Sequence, residues 1–311
     1  MLFAGGISYK QTRVNAVTEQ EKLSKEQDRF RFQIVYLIPI LASLIFGLGC
    51  AYLLSSPQTP SIPVAPISET TPGAPVGNAL YFVVLIAISA TIFYFLLKRR
   101  SKRIIKTLIV VAMTTASLLL SLVYLSALFA YLPELNFLVI PLSIVFAILF
   151  DLAIFRFGSI SRNVAVVLIG GALGIFFGKF IPLWSAILIL AFLAVYDVIA
   201  VYRGPVGKIA QSSGLDDLQG LSFSFRDIQM GLGDLVFYSM LSGAMFFNFV
   251  NAVMYPLGIV PCLVSISGIM AGSIITFFML EKKGIFPGLP FPIMIGLAGG
   301  LITGFFILPL L

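Results

Sequence analysis

Ala-Val-Tyr-Asp-Val-Ile-Ala-Val-Tyr (194–202) and Gly-Leu-Gly-Asp-Leu-Val-Phe-Tyr-Ser (231–239) each set one aspartate in an otherwise almost wholly apolar stretch. An acid near the middle of a membrane helix costs roughly 2.5–3.5 kcal/mol on insertion scales, and such residues mark function. The flanking sequence decides the fold class. It consists of apolar runs near 20 residues, the length needed to cross about 30 Å of hydrocarbon. The 311-residue chain is 59% hydrophobic and 11% charged, against about 25% charged in soluble domains. Its mean hydropathy is +1.06. These features predict an all-α integral membrane protein folded as one helical bundle.

Nine spans are expected, at about 34–54, 79–97, 107–130, 136–155, 164–180, 183–202, 232–254, 257–280 and 290–311, with ends good to ±2–4 residues. The fifth reads as short, and Pro182 and Pro256 mark tight turns. With this count, alternate connections hold all the lysines and arginines but Lys179, a bias that places the N-terminus in the cytoplasm and Leu311 outside. The organisation expected is a cytoplasmic segment (1–33), a scaffold of spans one to five (34–180), and a part with spans six to nine and the catalytic site (181–311). That last part includes a cytoplasmic loop over 203–231. The first outer loop, about 55–78, is rich in Pro, Ser and Thr and reads as flexible. Leu-Ser-Phe-Ser-Phe (221–225) alternates as a short strand does.

Several functions are excluded. With no histidine, neither a serine–histidine arrangement nor a His-Glu-x-x-His zinc site is available. Cys50 and Cys262 have no metal spacing and read as packing residues, so no metal or cofactor is expected. The polar first 33 residues lack the apolar core of a secretory signal. The net charge of +7 clusters beside spans, as topology signals do, which argues against nucleic acid. Asp151 reads as a local charge balance near Arg156 or, alternatively, as a group near the site, and Asp216, Asp217 and Asp227 as solvated loop acids. Gly170, Gly174 and Gly178, then Gly268 and Gly272, then Gly296, Gly300 and Gly304 recur at spacing four, which predicts close helix packing in lipid.

Asp197 falls about five residues before the end of span six, and Asp234 about three after the start of span seven. At 1.5 Å per residue both lie roughly 5–8 Å from one membrane boundary, so a facing pair is feasible. Two close carboxylates in a low-dielectric site share one proton, which suits general acid–base hydrolysis. Gly231 and Gly233, around Leu232, fit either a close approach to Asp234 or an ordinary turn into a helix. Pro287-Gly288-Leu289-Pro290 and Pro292 are expected to interrupt regular helix at the mouth of span nine, and fit either a proline-rich helix entry or backbone groups left free for strand addition by a substrate.

Tyr196-Asp197, Gly231-Leu232-Gly233-Asp234 and Pro287-Gly288-Leu289-Pro290, in that order on spans six, seven and nine, resemble the presenilin family of intramembrane aspartyl proteases, relatives of the signal peptide peptidases. The resemblance is strong over about 180–292. It implies a presenilin-like fold of nine transmembrane helices with Asp197 and Asp234 as the catalytic pair. Tyr196, Gly231, Leu232, Gly233, Pro287, Gly288, Leu289 and Pro290 would then shape the active site. It implies single-span membrane proteins or signal-peptide-like segments as substrates and the lipid bilayer as surroundings, and leaves a homo-oligomer open. Gly288 stands where the family has alanine, a change expected to loosen the segment. The loop after span six is far shorter than in animal presenilins, as in a microbial, archaeal cell-membrane homologue working without accessory subunits. The competing readings are an ion-coupled transporter or channel that uses the acids as relays, and a catalytically silent scaffold.

Overall fold

A computed structural model of the chain describes residues 32–55, 62, 64–68, 70–99, 102–202, 222–225, 228–250 and 257–307. The N-terminal segment through 31, most of the loop after span six with its Asp216, Asp217 and Asp227, the Pro256 turn and the last four residues of span nine lie outside the described residues. Among the described residues, nine helical segments follow one another. They are α1 (Ile38–Leu54), α2 (Ala74–Lys98), α3 (Lys102–Phe129), α4 (Val139–Phe155), α5 (Ser159–Phe180), α6 (Leu183–Tyr202), α7 (Leu232–Val250), α8 (Val260–Lys283) and α9 (Pro290–Ile302). Short 3-10 turns lead into α1, α4 and α8, and a π turn, Thr303–Ile307, extends α9. Among the described residues, eight helices are long and apolar enough to cross a membrane, and α9 with its extension is a shorter apolar helix. The fold is an all-α membrane bundle.

Two expected boundaries change. The fifth span is not short, because α5 starts at Ser159 and runs 22 residues. Its first turn, Ser-Ile-Ser-Arg-Asn, lowers hydropathy without opposing helix, and the Arg162 amide donates to Gly158 O (3.2 Å). Helix α2 likewise starts at Ala74, inside the expected outer loop, and the end of that loop is held in place. The buried Asn78 side chain accepts from the Ile67 amide (2.9 Å) and donates to Ile67 O (3.0 Å) and Ser185 Oγ (3.1 Å). One amide therefore ties the outer loop and α2 to the start of α6. Of the two readings of the proline-rich stretch, a helix entry is what the structure has at α9. Pro290 is its first residue and Pro292 its third, positions whose N–H groups have no intrahelical partner in any case.

Helix α7 is the centre of the bundle. Its span is 78% buried, against 11% for the most hydropathic stretch of α2, and it packs on α1, α5, α6, α8 and α9. In lipid the apolar effect does not drive helices together, so contact depends on close backbone approach. The glycine stripes supply it, as expected. A methyl at Gly170 would meet Leu235 Cβ at 2.9 Å, and one at Gly178 would meet the Ala244 amide of α7 at 2.7 Å. Gly174 faces Val236 O and Ser239 of α7. On α8, a methyl at Gly272 would lie 2.5 Å from Pro292 Cα, so the start of α9 sits directly on α8. Lys179 donates to Leu54 O at the C-terminal end of α1 and lies over the Phe180 and Phe247 rings (5.6 and 5.4 Å). Cys50 and Cys262 are buried free thiols. Asp151 accepts from Thr114 Oγ1 of α3 (2.6 Å); among the described residues this hydroxyl, not Arg156, is its partner.

The expected strand is present as β1 (Ser222–Phe225), and it pairs antiparallel with an unforeseen β2 (Ile228–Gly231). Gly231 sits opposite Ser222 and is followed directly by α7, so the hairpin leads straight into the helix that carries Asp234.

Candidate active site

Asp197 lies in the last two turns of α6. Asp234 lies in the first turn of α7, as its third residue. That position is favourable to an acid, since the first amides of a helix lack intrahelical partners and carry partial positive charge. The Gly231 amide, just before the helix, interacts with the Asp234 carboxylate, the reach-back contact of a capping box. Both carboxylates are half-buried and close enough to act on each other electrostatically.

The segment between α8 and α9 joins the two acids. Helix α8 ends at Gly284, whose φ of 75° is the left-handed conformation that glycine adopts without penalty. Five residues later the chain enters α9, with the Phe286 and Phe291 rings stacked across the interval (centroids 5.7 Å apart). The Leu289 amide donates to Asp197 Oδ2 (3.0 Å). Tyr238 Oη donates to Gly288 O (2.9 Å). These two bonds grip opposite edges of one peptide group, the one between Gly288 and Leu289. A methyl at Gly288 would stand 3.1 Å from Asp234 Oδ2, so the same residue rests against the second carboxylate.

The structure therefore brings together Asp197, Asp234, Gly231, Gly288 and Leu289. Pro287 and Leu289 are buried beside them and Pro290 opens α9. Leu232 turns away from the acids and packs on Gly170 of α5. Tyr196 is half-buried, and its hydroxyl makes no hydrogen bond among the described residues. At Gly231 and Gly233 a methyl would meet its nearest neighbour at 3.8 and 3.6 Å, ordinary contact. The close approach falls instead at Gly288. There the absence of a side chain lets the backbone lie against Asp234. Sequence reasoning gave Tyr238 no part. The available signal was its spacing of four from Asp234, which puts both on one face of α7.

The family model described as signal-peptide peptidase, presenilin aspartyl protease matches residues 43–219, more than half of the chain. The chain belongs to this family. Two solved structures of a presenilin family intramembrane aspartate protease, in different crystal forms, share the fold. Their TM-scores are 0.61 and 0.60 at 22% and 20% identity, over 86% and 88% of this chain and 97% of each of theirs. No curated protein matches significantly in sequence. Membership makes the chain an intramembrane aspartyl protease, a multi-pass membrane hydrolase. The matched region contains Asp197 and stops short of Asp234.

Proposed function

We propose that Asp197 and Asp234 together activate water to cleave peptide bonds in membrane-spanning helices. The observation that carries this reading is the convergence of both carboxylates on one short stretch: Asp197 on the Leu289 amide and Asp234 against Gly288. One aspartate is ionised and takes a proton as the water oxygen bonds to the scissile carbonyl carbon. The protonated partner donates to the carbonyl oxygen. The carbon–nitrogen bond then breaks, and the amine leaves with a proton returned by the pair. The acids titrate as a unit, so neither is assigned a fixed part.

The substrates of this reading are single-span membrane proteins or signal-peptide-like segments. The cation bias puts the aspartates near the cytoplasmic face. The backbone of the β1–β2 hairpin and of the segment before α9 offers partners for a locally unwound substrate. A transporter reading gains no support from the family match, and adjacent helices supply both acids where transporter repeats would place them in corresponding halves.

The test is cleavage of a labelled single-span substrate by the purified chain in detergent or bilayers. Asp197→Ala and Asp234→Ala should each abolish turnover while the protein remains folded. Turnover at the parent rate by either variant refutes the assignment.

A further inference from the structure

Beside Asp234 lies a cavity of about 110 Å³ between α1, β2, α7, α8 and the segment before α9. Its polar lining comes from Asp234, Tyr238, Ser273 and Thr276. Water occupies about 30 Å³ in the liquid, and a buried molecule needs two to four polar partners. This cavity meets both conditions. The larger cavity, about 410 Å³ between α1, α3, α4 and α5, is lined mainly by apolar side chains such as Leu120, Phe146 and Phe150 and meets only the first.

Thr276 is the informative group. A threonine inside a helix ordinarily donates to the carbonyl one turn back. Thr91, Thr115 and Thr303 do so, at 2.7–2.8 Å. Ser273, three residues before Thr276, does the same to Ile269 O (2.8 Å). Thr276 is 6% exposed, and its Oγ1 has no hydrogen-bond partner among the described residues. A buried hydroxyl left unmatched costs about 1–3 kcal/mol. Ser265 Oγ is also unmatched, but it lies at the glycine contacts of α8 with α9, outside this cavity.

We propose that this cavity seats the water consumed in hydrolysis, with the Thr276 hydroxyl holding that water beside Asp234. The inference rests on the two-aspartate reading above and adds where the nucleophile waits. Thr276 orients the water and undergoes no net proton change. The proton released on attack goes to the ionised aspartate, and the water oxygen becomes part of the new carboxyl group.

The experiment is steady-state cleavage by the purified full chain carrying Thr276→Val, which keeps the shape and removes the hydroxyl, and Thr276→Ser, which restores it. The valine variant should lose about tenfold in kcat with KM unchanged, and its thermal midpoint should equal or exceed the parent's because no protein bond is broken. The serine variant should recover most of kcat. Parent-level kcat for the valine variant overturns the proposal, as does a loss that serine does not repair. Asp234→Ala run in parallel separates the two claims. If it cleaves, the aspartate reading fails. If it is dead while Thr276→Val is fully active, only the water seat fails.

Discussion

At the scale of single residues, the peptide group between Gly288 and Leu289 governs how the acids stand. Asp197 accepts from its N–H, and Tyr238 donates to its carbonyl. Loss of the tyrosine hydroxyl leaves that carbonyl without its partner and the segment held on one edge only. Tyr238→Phe should therefore slow cleavage severalfold with a stability loss of about 1 kcal/mol, read by turnover beside thermal unfolding. An unchanged rate would show that the grip does not matter to turnover. Gly288→Ala tests the other contact. Its methyl, at 3.1 Å from Asp234 Oδ2, must displace the carboxylate slightly, so turnover should drop without vanishing, while Gly288→Val should abolish it. The two aspartates were legible from sequence because an acid in an apolar membrane run is costly to insert and stands out against its neighbours. The hydroxyls of Tyr238 and Thr276 were not. A tyrosine ring suits an apolar run, and a helical threonine is equally at home bonded to its own backbone.

At the scale of elements, the region around α7 shows why some segments could be read and others not. Alternation revealed β1. Its partner β2, Ile-Gln-Met-Gly, is equally short but holds no β-branched or aromatic residue after Ile228 and ends in glycine, and it becomes a strand by pairing. The prolines before α9 were legible as a break, but the break falls between Gly284 and Leu289, because proline in a first helical turn displaces no hydrogen bond. If the hairpin guides substrate into the site, Phe223→Pro should impair cleavage, since it removes an amide from a strand whose register ends at Gly231. Equal cleavage rates for the variant and the parent would separate the hairpin from turnover.

At the scale of the whole molecule, the spans follow from hydropathy and length, but their docking does not. Lipid tails are as apolar as the side chains they replace, so the choice of neighbours depends on fit between surfaces. The glycine spacing on α5 was visible in the sequence; that its partner is α7, the helix of Asp234, follows only from how the two surfaces fit. Gly174→Leu should force α5 and α7 apart, lowering the thermal midpoint and costing about 1–3 kcal/mol or more. Unchanged unfolding would mean the two helices are held by other contacts.

The Asn78 tether has a mechanical consequence. It pins α6 near Ser185, twelve positions ahead of Asp197, or about 18 Å along the axis. A rod fixed at one tip behaves as a pointer. A tilt of about 5° at the pin sweeps the far carboxyl sideways by about 1.5 Å, sufficient to break its bond to Leu289. Under the proposed two-aspartate reading, the alignment of Asp197 is thus exposed to disturbances near Ser185, at the far end of α6, through an amide remote from its carboxyl.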